Sequence, residues 1–357
     1  MTNERKLTDS GPRTTPAALG YLMPPEWHRH AATWLTWPKD PLTWPDRVEQ
    51  AEAAYLQIMS ALAPHERVNL LVDDEATEAK VRVRYNFPHA GNINFIQLPT
   101  VDSWIRDYGP NFLINDAGAL AYNDWEFNAW GDKYEELKRD SAIPAQLESI
   151  LRVPRFTPDI VLEGGAIDVN GAGVVLTTEQ CLLNPNRNPQ LERREIEQYL
   201  KDFLGVAQVL WLGEGIVGDD TDGHIDDIAR FVAPDVIVCA LEDDPADANY
   251  RLLRDNYERL QRATDARGRA FEIVTLPMPG LVGGRDDRLP ASYANFYIAN
   301  GVVLAPVFDH ANDARAVETL QRLFADRRVV PINAEPLVWG MGTIHCLTQQ
   351  QPAAMSA

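Results

Sequence analysis

The sequence predicts an α/β fold, because five segments carry apolar residues at helical spacing and most are followed within a few residues by a short β-rich run. The helical segments span 46–63, 135–151, 188–204, 249–263 and 312–324. In the first, Val48, Ala51, Tyr55, Ile58 and Leu62 recur every three or four positions and share one face. β-rich runs follow four of these helices at 68–72, 208–212, 271–276 and 328–332, whereas 135–151 leads more loosely into 160–162. Further strand-like runs at 174–178, 236–241 and 302–308 intervene, so the repeating element is a helix with several strands. Five such units could close around a common axis, and a doubly wound open sheet would read the same way.

A chain of 357 residues that is 45% hydrophobic and holds nine tryptophans can bury a large core. Residues 1–19 and 352–357 are polar or small and lack periodicity, so they are expected to be tails around one catalytic unit over 20–351. No run approaches the ~18 apolar residues that span a bilayer. The opening MTNERKLTDSGPRTTP also lacks the apolar stretch of a secretion signal, so no membrane and a cytoplasmic location are expected. The formal charge of -19 opposes nucleic-acid binding, where affinity comes from neutralising phosphates, and favours a small cationic substrate. Cys181, Cys239 and Cys346 form no CxxC pair, so each is read singly.

Four clusters place reactive side chains beside glycines and apolar runs: DSWIRDYGP at 102–110, EGG at 163–165, GDDTDGHIDD at 218–227 and GMGTIHC at 340–346. Cys346 follows a Gly-x-Gly stretch that would let a substrate approach closely, which fits a nucleophile, although a buried inert thiol fits too. Cys239, inside VIVCAL, and Cys181, before two leucines, fit the inert reading. His224 is the natural general acid or base, and His-x-Asp on an extended backbone would project His224 and Asp226 to one side. The plain alternative is a capped helix start at 225–232. A metal site is not expected, since the aspartates lack calcium-loop spacing and no further His or Cys stands at ligand spacing. Trp104 and Asp107 offer an aromatic face and a carboxylate suited to a planar cation, unless Asp107 simply pairs with Arg106. Glu163 either marks a tight turn or orients His224.

Taken together, MPPEW (23–27), WIRDYGP (104–110), FNAWG (127–131), EGGAIDV (163–169), TTEQCLLNPNRNP (177–189), DDTDGHIDDIARF (219–231), ANFYIANG (294–301) and IHCLTQQQP (344–352) resemble the agmatine deiminase branch of the guanidino-group-modifying enzymes, close to bacterial peptidyl-arginine deiminase. The resemblance covers nearly the whole chain. It implies a five-unit pseudo-symmetric α/β propeller of the pentein type, no metal or organic cofactor, and a homo-oligomer. It also implies Cys346 as nucleophile, His224 as general acid/base, Asp107 and Asp226 as the pair holding the guanidinium, and Glu163 beside the histidine.

The chemistry stands beside the resemblance. A guanidinium carbon is a poor electrophile, and two carboxylates that pin its nitrogens localise the charge and favour tetrahedral geometry. A thiol among carboxylates should be hard to ionise, so either His224 stays protonated as its partner or the cationic substrate draws the proton off. Agmatine is the expected substrate, because no arginine lies between Arg106 and Arg139 to hold a substrate carboxylate, and Asp220 could meet the far amine. The alternatives are peptidyl-arginine or free arginine with the same catalytic residues, and a non-catalytic guanidinium or polyamine binder. Tyr108 stands where Thr is common in the family. Asp132 and Met341 stand where glycine is usual, and these positions bear on substrate preference.

Overall fold

Five small sheets, not one open sheet, carry the fold among the residues that the computed structural model describes, 14–354 apart from 87, 285 and 286. Most of the expected N-terminal tail, and residues 355–357, lie outside that range. Pro352 is the last residue of the strand Gln349–Pro352, so strand pairing runs one residue past the expected end of the catalytic unit.

Each sheet repeats one pattern: an antiparallel pair, a helix, and a strand parallel to its neighbour. The pair Asn111–Asn115 and Leu120–Asn123 is followed by the helix Ile143–Leu151 and the strand Arg155–Phe156. Asp168–Val169 and Val174–Thr178 lead through Arg193–Leu204 to Gln208–Leu212. Ala229–Ala233 and Val236–Leu241 lead through Asn249–Arg262 to Glu272–Pro277, and Tyr297–Ala299 and Val302–Val307 through Asp313–Leu323 to Arg328–Asn333. The last unit joins the two ends of the chain, with Gln349–Pro352 antiparallel to His30–Thr36 and the helix Val48–Leu62 crossing to Arg67–Val72.

Local chemistry explains where the elements begin. Val48–Leu62 buries Ala51, Tyr55, Ile58, Met59 and Leu62 along one stripe, while its buried Glu52 is met by Lys80 and Arg84. The helix expected from 188 starts at Arg193, after Pro189 and a capping box in which the Glu195 side chain accepts the Glu192 N–H at 2.8 Å. The helix expected over 135–151 is split into a 3-10 segment, Glu135–Ala142, and the α-helix Ile143–Leu151, because Pro144 is tolerated only in a first turn. The run 160–162 is not a strand; Val161 makes a single bridge to Glu126.

Buried charge ties the units together. Arg230, fully buried, is paired with Asp168, lies 2.8 Å from Glu26 and donates to the Phe296 carbonyl at 2.8 Å, so one guanidinium joins three units and the N-terminal segment. Arg230→Met would strand two buried carboxylates and should destabilise the protein by about 3–5 kcal/mol in a denaturant titration.

Candidate active site

The segment just before the strand that opens each antiparallel pair supplies the site. Asp107 sits in the short helix Ile105–Tyr108, before Asn111–Asn115. Glu163 precedes the turn Gly164–Ala166, before Asp168–Val169. His224 caps the 3-10 turn Ile225–Asp227 that carries Asp226, before Ala229–Ala233. Asn295 lies just before Tyr297–Ala299, and Cys346 just before Gln349–Pro352. The backbone at His224–Asp226 is therefore a tight turn, neither extended nor the start of an α-helix as expected.

These segments meet. Asn295 donates from Nδ2 to the Cys346 sulfur at 3.2 Å, and its Oδ1 accepts the Thr343 hydroxyl at 2.7 Å and the His345 N–H at 2.9 Å. The sulfur lies 3.8 Å from Asp226 Oδ2. Asp107 Oδ1 lies 3.8 Å from His224 Nδ1 and accepts the Gly165 N–H at 2.9 Å, while its Oδ2 accepts Trp130 Nε1–H at 2.9 Å. Asp226 gives one oxygen to His345 Nδ1 at 2.7 Å, and its other oxygen has no hydrogen-bond partner among the described residues. Asp107 does not pair with Arg106, whose guanidinium reaches Gln349, Gln350 and the His345 carbonyl.

Cys346 and Asp107 open onto a cavity of about 820 Å³, whose walls include Trp104, Trp130 and Asp220. A Cβ at Gly342 would come within 2.6 Å of the Trp104 ring and 3.2 Å of the Cys346 Cβ, so glycine there lets the indole approach the thiol. Trp104 is held by its Nε1–H on Asp102 Oδ2 at 3.0 Å, and the same oxygen accepts the Thr43 hydroxyl at 2.6 Å. Asp220 accepts the Tyr134 hydroxyl, and its backbone carbonyl accepts Lys133. Asp132, with φ 63°, and Met341, which lines the cavity with φ 73°, both adopt left-handed backbone, a conformation that costs a side chain more than it costs glycine.

Burial sets the electrostatics. Burial, then the charges of Asp226, Asp227 and Asp107, hold the Cys346 thiol well above its ordinary pKa. Burial pushes Asp107 up to about 6, against the pull of His224, with Asp226 and Glu163 adding to the rise. Burial alone would depress His224, but Asp107, with Cys181 and Glu163, more than offsets it and favours the imidazolium. Asp226 goes the other way, because the hydrogen bond and charge of His345 outweigh its burial.

Glu163 is less free than the sequence implies: its Oε1 accepts Arg187 Nε at 2.6 Å. Cys181 is buried, but not in plain apolar core, because Glu163, Cys181 and His224 hold ligand-type atoms within 4.8 Å of one another. Arg187 already occupies and neutralises that carboxylate, which disfavours a cation there. Cys239 is packed among apolar residues, as expected. Sequence reasoning gave no role to Glu26, Trp130, Arg187, Asn295 or His345. Each stands inside one of the eight quoted motifs, which was the available signal.

The sequence model of the Porphyromonas-type peptidyl-arginine deiminases matches residues 22–352. The chain belongs to this family. The agmatine deiminase of Pseudomonas syringae pv. tomato is 40% identical over 367 residues, covering 96% of this chain and 99% of that protein. The agmatine deiminase of Pseudomonas aeruginosa is 39% identical over 371 residues, covering 98% and 100%. The solved agmatine deiminase of Enterococcus faecalis superposes with a TM-score of 0.90 at 36% identity, covering 96% of this chain and 99% of that one. This deiminase-family chain thus shares sequence and fold with its relatives over nearly all of its described length. No helix among its described residues is long and apolar enough to cross a membrane.

Gly165 tests the tightness of this family site. A Cβ there would lie 2.6 Å from His224 Nδ1 and 2.9 Å from Asp107 Oδ1. Gly165→Ala should keep the circular-dichroism spectrum of the wild type and lose about 100-fold or more in deiminase turnover.

Proposed function

We propose that this protein hydrolyses agmatine to N-carbamoylputrescine and ammonia. The observation that carries the reading is an acidic cavity that ends at a thiol between two carboxylates, with six carboxylates against two cations, Lys39 and Arg139, among its described lining residues. Lys39 pairs with Asp73 and donates to the Thr100 carbonyl at 2.6 Å, and Arg139 lies 3.6 Å from Glu136. Free arginine would bring a carboxylate toward Asp40, Glu135, Glu136 and Asp220, whereas agmatine brings an amine. Its relatives' names support the same substrate. We read the five sheet-and-helix units as a propeller around one axis, with the site where their leading segments meet.

In this reading the guanidinium lies between Asp107 and Asp226, with Trp104 alongside it and the far amine toward Asp220. The arriving cation offsets the carboxylates that keep Cys346 protonated, so once the substrate is bound the thiol ionises and its proton passes to solvent through the cavity, because His224 is already protonated. The sulfur attacks the guanidinium carbon, forming an S–C bond. The C–N bond to one terminal nitrogen then breaks, and His224 gives that nitrogen the proton with which ammonia leaves. Water, deprotonated by His224, attacks the resulting thiouronium; the S–C bond then breaks as the remaining hydroxyl proton passes to the departing sulfur, which restores the thiol and releases the ureido product. Glu163, behind the imidazole, supports its charged form.

Cys346→Ser should abolish ammonia release while still binding agmatine by calorimetry; substantial residual turnover would refute the nucleophile. Arg139 beside the cavity is the one feature that favours arginine. Measured side by side, arginine should nevertheless show kcat/KM about 100-fold or more below agmatine, and faster turnover of arginine would overturn the substrate choice. Asp107 must be ionised to hold the cation, so kcat/KM should fall as pH drops below about 6 and level off above it.

A further inference from the structure

We propose that His345 is a positioning residue, an imidazolium held between Glu26 and Asp226 that keeps Asp226 ionised and aimed at the substrate. The proposal rests on Asp226 being one of the two carboxylates that hold the guanidinium. His345 Nδ1 lies 2.7 Å from Asp226 Oδ2, and His345 Nε2 lies 2.7 Å from Glu26 Oε2. An ionised carboxylate can only accept hydrogen bonds, so two such contacts require a proton on each ring nitrogen. Both partners favour ionisation: against its own burial, Glu26 is held far below the usual range by Arg230, then His345 and Arg106, and Asp226 is held low by His345, His224 and Arg230. The imidazole is buried, so water competes little for these bonds.

The backbone fixes the ring as firmly as the side chains do. The His345 N–H donates to Asn295 Oδ1 at 2.9 Å and to the Asn295 carbonyl at 3.2 Å, while its carbonyl accepts Arg106 Nε–H at 3.2 Å. Cys346, the next residue, receives a hydrogen bond from the same asparagine. One side chain therefore couples the position of the nucleophile to the position of Asp226. The groups facing Asp226 explain why a cation is required there. Asp107 and Asp227 oppose its charge, and His345, His224 and Arg230 favour it. Of the favourable groups, only His345 hydrogen-bonds to it. Its fixed hold on one Asp226 oxygen leaves the other, which has no hydrogen-bond partner, for the substrate.

Removing this cation lets burial and the neighbouring carboxylates raise the Asp226 pKa past that of Asp107, which sets the acid limb in the wild type, so a higher pH is needed before the substrate is held. His345→Gln should therefore raise KM for agmatine about tenfold or more near neutral pH and move the acid limb of kcat/KM upward by about one unit, with much of the KM defect recovered at higher pH. Glu26→Gln, which keeps a side chain of the same shape but removes the charge facing both His345 and Arg230, should move the limb in the same direction by less, and it serves if His345→Gln does not fold. In the wild type, nitrogen-15 spectra of labelled histidine should show a proton on both His345 nitrogens, as its two carboxylate contacts require. A neutral His345 in those spectra, or variants that lose activity equally at every pH with the limb unmoved, would overturn the proposal. The spectra need no turnover, so they report on His345 even where the agmatine reading fails.

Discussion

Buried negative charge around a single sulfur is the constraint from which the rest follows. Asp107, Asp226 and Asp227 all act on Cys346, and each of these carboxyls is at most 4% exposed. Such a cluster is costly unless cations or protons meet it: His345 pairs with Asp226, burial and the charge of Asp226 hold Asp227 well above the usual carboxylate range, and behind them Arg230 and Arg187 neutralise Glu26, Asp168 and Glu163. On the side facing the cavity the compensation stops. In the proposed reading a guanidinium completes the charge balance on that side, so the imbalance that raises the thiol pKa also selects a cationic substrate.

The fold meets this demand by repetition. Each of the five units sends the segment before its first strand toward the site, and each segment brings different chemistry: Asp107, Glu163, His224 with Asp226, Asn295, and Cys346. The sheets give those segments rigid anchors, which can hold reacting groups to within about 0.5 Å of a productive geometry. The unit carrying Cys346 is closed by pairing Gln349 with Trp34, so folding of the two chain ends onto each other is a condition for having a site at all. Strained backbone at Ala129, Trp130 and Asp132 is held by the same framework and aims the Trp130 indole at Asp107.

The α/β alternation and the reactive clusters were legible in the sequence because both are local. Helix periodicity at 46–63 marks one buried stripe, and Gly-x-Gly before Cys346 marks a backbone that lets another group close in. What was not legible is pairing at long separation. His345 finds Asp226 119 positions away and Glu26 319 positions away, and no spacing rule carries that information. Cys181 read as inert because its neighbours in sequence are leucines, while its neighbours in space are His224 and Glu163. The helix starts at 143 and 193 were missed for a simpler reason: Pro144 and the capping box at Glu192 outweigh apolar periodicity.

The most direct test of the account compares the pH dependence of Cys346 alkylation by neutral iodoacetamide in free enzyme with that of agmatine turnover. If the substrate's charge is what ionises the thiol, turnover proceeds at neutral pH while alkylation keeps rising beyond pH about 9. Alkylation that is complete by neutral pH, in step with turnover, would show a thiolate already formed in the resting enzyme and would contradict it.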